Sequence, residues 1–132
     1  MEQVRGVRDV YVAFVEGKFA GYLTICWRSN YLPFREAKIP EIVDFNILPE
    51  IRRQGIGSAL MDQAENEIAK VSQGVGIGVG MTPDYGAAQR MYLLRGYVPD
   101  RRGMYHKDHY PVYSDQVTVD NDLALYFAKE LK

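Results

Sequence analysis

Val43-Asp44-Phe45-Asn46-Ile47-Leu48-Pro49-Glu50-Ile51-Arg52-Arg53-Gln54-Gly55-Ile56-Gly57-Ser58-Ala59-Leu60-Met61 is the stretch from which the fold of this 132-residue chain is read. The apolar run Ile42 to Leu48 is short, rich in β-formers and stopped by Pro49, as expected of a buried strand. Helical periodicity follows, with Ile56, Leu60, Ala64 and Ile68 recurring every four residues. Gly55 and Gly57 stand between the two, where the backbone must bend. The first N–H groups of a helix lack internal partners and carry the positive end of its dipole. Arg52 and Arg53 add charge beside them, so the turn reads either as an anion site or as a plain strand-to-helix connection. Two other phosphate motifs do not fit. No Gly-Lys-Ser/Thr follows the glycines, and no third Gly stands at the dinucleotide spacing.

Composition bounds the rest. The length suits one domain, 1–132, with a real core. With 47% hydrophobic and 25% charged residues, the chain reads as globular. A net charge of -1 gives no global drive towards nucleic acid or acidic membranes. The single cysteine, Cys26, excludes an internal disulfide and fits a reducing compartment. No apolar run is long enough to span a bilayer and no signal peptide opens the chain, so a cytoplasmic location is expected.

Outward from the central turn, Asp9 to Glu16 and Phe19 to Arg28 read as strands joined at Gly17-Lys18, an antiparallel hairpin. Cys26 reads as a small core residue. Ser29 to Pro40 reads as a loop broken by Pro33, and Glu41 to Leu48 is the third strand. The long helix should end near Ser72-Gln73-Gly74, with Gly74 as a left-handed cap. Val75-Gly76-Ile77-Gly78-Val79-Gly80 fits a strand with one bare face, lying close to a ligand or tucked under other structure. Ala87 to Arg95 is a short helix ended by Gly96. His106 and His109, three apart in a presumed strand, should face opposite ways, and zinc is not expected. Leu123 to Leu131 suits either a helix or a strand. The order β-β-β-α-β-α-β-β implies one mixed sheet with helices against it. The strands flanking the long helix are expected to be parallel neighbours.

Two motifs then resemble a known family. Arg52-Arg53-Gln54-Gly55-Ile56-Gly57 is similar to the Arg/Gln-x-x-Gly-x-Gly/Ala signature of the GNAT superfamily of acetyl-CoA-dependent N-acetyltransferases. Ala88-Gln89-Arg90-Met91-Tyr92-Leu93-Leu94-Arg95-Gly96-Tyr97 looks like the Ala-x-x-Leu-Tyr-x-x-x-Gly-Phe helix of the same superfamily. The resemblance covers roughly residues 10 to 131. It implies the α/β (α+β) GNAT fold: a single mixed, mostly antiparallel twisted sheet with helices packed on it, Leu123 to Leu131 being its last strand. It further implies acetyl-CoA as co-substrate. The diphosphate would be held by Arg52, Arg53, Gln54, Gly55, Ile56, Gly57 and Ser58, and the pantetheine arm by the main chain at Phe45, Asn46 and Ile47. Gly76, Gly78 and Gly80 would leave room nearby. Many members carry Asn three residues before the second motif's Ala88. Here Tyr85 stands there, and Tyr85 and Ala88 are carried as cofactor-binding positions.

The implied chemistry sets demands. A lysine-like amine has a pKa near 10.4, so deprotonation at pH 7 costs roughly 4 to 5 kcal/mol. A carboxylate, directly or through water, can take that proton. An N–H donor must hold the oxyanion, and the leaving thiolate needs an acid. Glu41 and Asp44 are the candidate bases, on opposite faces by period-two alternation. Glu41 otherwise reads as a solvated strand end and Asp44 as a hydrogen-bonded sheet residue. Tyr92 matches the tyrosine that protonates the sulfur in the family; otherwise it is an aromatic in the core.

The chain starts almost at the hairpin, whereas the family carries a strand and helices before it. The acceptor site is therefore expected to be open, or closed by a partner subunit as in a homodimer, or the chain starts downstream of the full fold. The acceptor is a small-molecule or peptide amine, with Ser29 to Pro40 and Arg101 to Ser114 as specificity elements. A non-catalytic acyl-CoA-binding or regulatory module is the alternative.

Overall fold

The computed structural model describes residues 7–52 and 55–131. Six strands run β1 (Arg8–Val15), β2 (Lys18–Cys26), β3 (Glu41–Ile47), β4 (Gly74–Gly80), β5 (Val98–His106) and β6 (Leu123–Glu130). They form one mixed sheet in the order β1-β2-β3-β4-β6-β5. Three helices accompany them among the described residues: α1 (Leu32–Ala37), α2 (Ile56–Ala69) and α3 (Gly86–Leu94). By contacts the chain divides into a first unit up to Val75 and a second over Gly76–Glu130. Among the described residues no helix is long and apolar enough to cross a membrane.

In the first unit β1, β2 and β3 form an antiparallel meander. Glu16 and Gly17 both take positive φ in the β1–β2 connection, the geometry of a tight hairpin turn whose twist matches its strands. Helix α2 packs on these strands with a stripe of Leu60, Met61, Ala64 and Ile68. With the fully buried Leu23, Ile25 and Ile42 they make the core, each large side chain contributing about 1.5–3 kcal/mol of transfer free energy.

Three expectations are corrected in this unit. The segment Ser29 to Pro40 holds helix α1, because Pro33 occupies the first turn, where its missing N–H is not needed. Tyr31 and Phe34 then stack edge to face at 4.8 Å and are buried. Gly74 does not cap α2: the helix stops at Ala69, and Gly74 opens β4, its N–H donating to the Ser72 hydroxyl. Asp44 takes a positive φ of 51° within β3. There the pairing shifts, two β3 residues, Asp44 and Phe45, facing the single Leu23. This β-bulge breaks the strict alternation assumed from sequence.

In the second unit α3 stops at Leu94, and the chain turns away at Gly96, whose φ of 99° only glycine adopts cheaply. Leu123–Glu130 is a strand, antiparallel to β5. His106 and His109 do not face opposite ways. They pair across a turn at Lys107-Asp108, with ring centroids 6.4 Å apart and His106 bonded to Asp120.

Candidate active site

The start of α2 follows directly on the turn at Gly55. Gly55 precedes the helix in the left-handed conformation, φ 79°, with no atom within 4 Å of where a Cβ would stand. The first intrahelical bond runs from Ala59 N–H to Gly55 O, so the amides of Ile56, Gly57 and Ser58 precede the ladder. No side chain caps this end and no acidic residue stands in its first turn. Among the described residues, no acid within the first turn of this 14-residue helix offsets the positive end of its dipole. Arg52 donates from Nε to Ile47 O at 3.1 Å, tying the turn back onto the end of β3. Arg53 and Gln54 lie outside the described residues.

Strand β3 leads into that turn. Asn46 donates from Nδ2 to the Tyr22 hydroxyl at 3.3 Å, and Phe45 and Ile47 are half-buried. Leu48 N–H donates to Ala20 O, so the strand end is held to β2. The bulge at Asp44-Phe45 interrupts that ladder at the first of the pantetheine positions expected from sequence.

Glu41 is not a solvated strand end. It is 8% exposed and accepts from the Ser29 hydroxyl at 2.6 Å. Ser29 in turn accepts from Tyr31 N–H. Burial pushes the Glu41 carboxyl above its ordinary value. The Ser29 hydrogen bond and the Arg8 charge oppose the rise, and the Asp44 charge adds to it. Asp44 itself is exposed and stands 3.7 Å from Arg8. Arg8, Cys26 and Glu41 are directly opposed across the three strands and share a face. The bulge therefore brings Asp44 towards the Glu41 face instead of the opposite one. Ser29, which bonds Glu41, and Arg8, whose charge acts on Glu41 and lies beside Asp44, were missed in the sequence, where nothing marks them as partners.

In the second unit Tyr92 is buried and its ring lies 5.9 Å from that of Tyr97. Burial, and secondarily Tyr85, hold its hydroxyl protonated far above neutral pH. The bare face of β4 is filled by this protein's own rings. A Cβ on Gly78 would stand 2.8 Å from Tyr126 Cε1, and one on Gly80 would overlap the Tyr85 ring. The room expected at Gly78 and Gly80 is thus packing space. Tyr85, at the start of α3, serves that packing, and Gln89 bonds Gly80 O at 2.9 Å to hold the helix on the strand end. Ala88 is half-buried on the same helix.

The Acetyltransferase (GNAT) family matches over residues 4–97, more than half of the chain. No curated protein matches it by sequence. Among solved structures it is similar to nourseothricin acetyltransferase, at 20% identity and a TM-score of 0.71, over 96% of this chain and 66% of that one. It is similar to the PaiA N-acetyltransferase of Thermoplasma acidophilum in complex with coenzyme A, at 15% identity and 0.63, over 93% and 60%. A GNAT acetyltransferase of Staphylococcus aureus aligns at 16% identity and 0.63, over 95% and 69%. The chain thus spans less than two thirds of the first two of these structures. The matched segment and the shared architecture agree, and the chain belongs to the GNAT acetyltransferase family.

Proposed function

We propose that this protein is an acyl-CoA-dependent N-acetyltransferase, moving an acetyl group from acetyl-CoA to a primary amine by direct transfer in a ternary complex. The observation that carries the reading is the start of α2, a long helix with a left-handed glycine before it, no side-chain cap and no acid in its first turn. Such an end favours a bound anion, and a diphosphate fits it. Acetyl-CoA supplies the activated acetyl group as a thioester. Ile56, Gly57 and Ser58 hold the diphosphate through their amides, helped by Arg52, Arg53 and Gln54, and the main chain at Phe45, Asn46 and Ile47 orients the arm. A backbone N–H of β3 stabilises developing charge on the acetyl oxygen.

The base is a carboxylate of β3. Glu41, with its raised affinity for protons, takes the amine proton directly or through water; exposed Asp44 is the second candidate. Tyr92, protonated at neutral pH, gives its proton to the leaving sulfur. The acceptor is a small-molecule or peptide amine. The one buried Cys26, whose thiol donates to Arg28 O, does not favour an acetyl-enzyme route, and it suits a cytoplasmic setting.

The tight enclosure of Glu41 and Tyr92 favours a second reading, a non-catalytic acyl-CoA-binding or regulatory module. Calorimetry with acetyl-CoA, together with thiol release across an amine panel, separates the two. Binding with turnover supports the enzyme, and binding without turnover supports the module. Absence of binding overturns both.

A further inference from the structure

Ser29 is fully buried between the end of β2 and the start of α1, and its hydroxyl donates to Glu41 Oε1 at 2.6 Å. The same hydroxyl oxygen accepts the Tyr31 N–H at 2.9 Å. Tyr31 is fixed in turn. Its carbonyl accepts the Phe34 and Arg35 N–H groups at the start of α1, and its buried ring stacks edge to face on Phe34. On the strand side, the Cys26 thiol donates to Arg28 O at 3.2 Å. A serine hydroxyl carries one hydrogen. Its acceptor side is taken by Tyr31 N–H, and among the described residues its hydrogen has no acceptor besides Glu41, so that hydrogen is committed to Oε1. The other charged or titratable groups acting on Glu41 or opposite it are Arg8 of β1, Cys26 of β2 and Asp44 of β3. Among the described residues only Ser29 gives the carboxyl a side-chain hydrogen bond.

We infer that Ser29 is the positioning residue of the base: its hydroxyl fixes the Glu41 carboxylate through Oε1 and leaves Oε2 to take the proton of the acceptor amine. This rests on the reading of Glu41 as the base. The proton passes from the amine nitrogen to a lone pair of Oε2, directly or through water. The nitrogen keeps the freed electron pair for attack on the thioester. Ser29 keeps its own hydrogen throughout, so it orients the base and does not relay the proton. The same bond has an electrostatic effect. A donor to a carboxylate favours the ionised form, and here it opposes the rise that burial imposes. Without Ser29, Glu41 would hold its proton to higher pH and act as a base over a narrower range.

Two pH titrations on the full chain test this. One follows the Glu41 carboxyl by carbon-detected NMR. The other follows kcat/KM for thiol release from acetyl-CoA, with whichever amine of the panel reacts fastest. In Ser29→Ala the carboxyl midpoint and the acid limb of the rate profile should both move up by about one pH unit or more, with KM for acetyl-CoA unchanged. Ser29→Thr keeps the hydroxyl and should leave both near wild type. If Ser29→Ala fails to fold, Ser29→Cys, a weaker donor, should move both in the same direction by less. A serine that only fills space would lower Tm and leave the limb in place. An unmoved midpoint or limb in folded Ser29→Ala or Ser29→Cys, or a Ser29→Thr displaced as far as Ser29→Ala, would overturn the inference. Glu41→Gln distinguishes that failure from failure of the reading beneath it. If Glu41→Gln keeps wild-type kcat, Glu41 is not the base and both fall. If it is inactive while the limb of Ser29→Ala stays put, only the role of Ser29 falls.

Discussion

A carboxylate placed in the first turn of α2 should strengthen the fold and weaken cofactor binding at once. Ser58 is the third residue of the helix and is exposed, so Ser58→Asp introduces the charge without disturbing the core. An acid beside the helix start, where none now stands, should stabilise by about 0.3–1 kcal/mol. The same charge would lie beside the proposed diphosphate. Two like unit charges about 6 Å apart repel by about 2.8 kcal/mol at an effective dielectric constant of about 20. Physiological salt, with a Debye length of about 8 Å, cuts this by roughly half. Against about two phosphate charges the net loss is about 2–3 kcal/mol, or about 30- to 150-fold in Kd. Calorimetric titration with acetyl-CoA reads the affinity and a thermal melt reads the stability, with Ser58→Asn as the uncharged control. Opposite signs for the two effects are expected only if the helix start holds the anion. An affinity for Ser58→Asp within threefold of wild type, with the expected rise in Tm, would refute it.

Other predictions concern the packing beneath the site. Because burial raises the Glu41 carboxyl above 4.5, the folded protein keeps a proton that the unfolded chain releases. That contribution is fully present below the unfolded value and is lost as pH climbs through the folded one. Glu41→Gln keeps an acceptor for Ser29, so its stability relative to wild type should grow as pH rises above 4.5 in urea unfolding. A wild type that gains on the variant over that range would show the ionised form to be the favoured one. Gly80→Ala should cost about 1–3 kcal/mol by forcing the Tyr85 ring aside. The cost should shrink in a Tyr85→Ala background, and equal costs in both backgrounds would mean that the ring is not what the methyl meets. Tyr92→Phe should lower kcat while leaving acetyl-CoA affinity unchanged; full kcat across the pH range would remove Tyr92 from the chemistry.

The central strand, turn and helix were legible because they are local. A seven-residue run rich in β-formers, a proline stop, two glycines and a four-residue apolar repeat lie within one short window. The second motif was legible for the same reason, its helix and closing Gly96 being set by neighbours in the chain. What depends on distant partners was not legible. The alternating glycines of β4 signalled a close approach, but Gly78 meets Tyr126, nearly fifty residues on, and Gly80 meets Tyr85 across a turn. Glu41 could be placed on its strand, yet its burial depends on Ser29, twelve residues earlier in a segment that sequence marked as loop. The period-two rule separated Glu41 from Asp44, and the bulge, which leaves no mark in the sequence of β3, undid that separation. Pro33 misled because proline stops a helix interior but suits a helix start, and sequence alone did not say which it was.

The claim on which the rest stands is that coenzyme A is gripped by the amides at the start of α2. At 15.1 kDa the protein suits amide NMR, and a titration with coenzyme A followed residue by residue is the direct measurement. The account predicts that the amides of Ile56, Gly57 and Ser58 shift most, followed by those of Phe45 to Ile47, with the β1 amides still. Saturable binding that leaves Ile56 to Ser58 unmoved would contradict it.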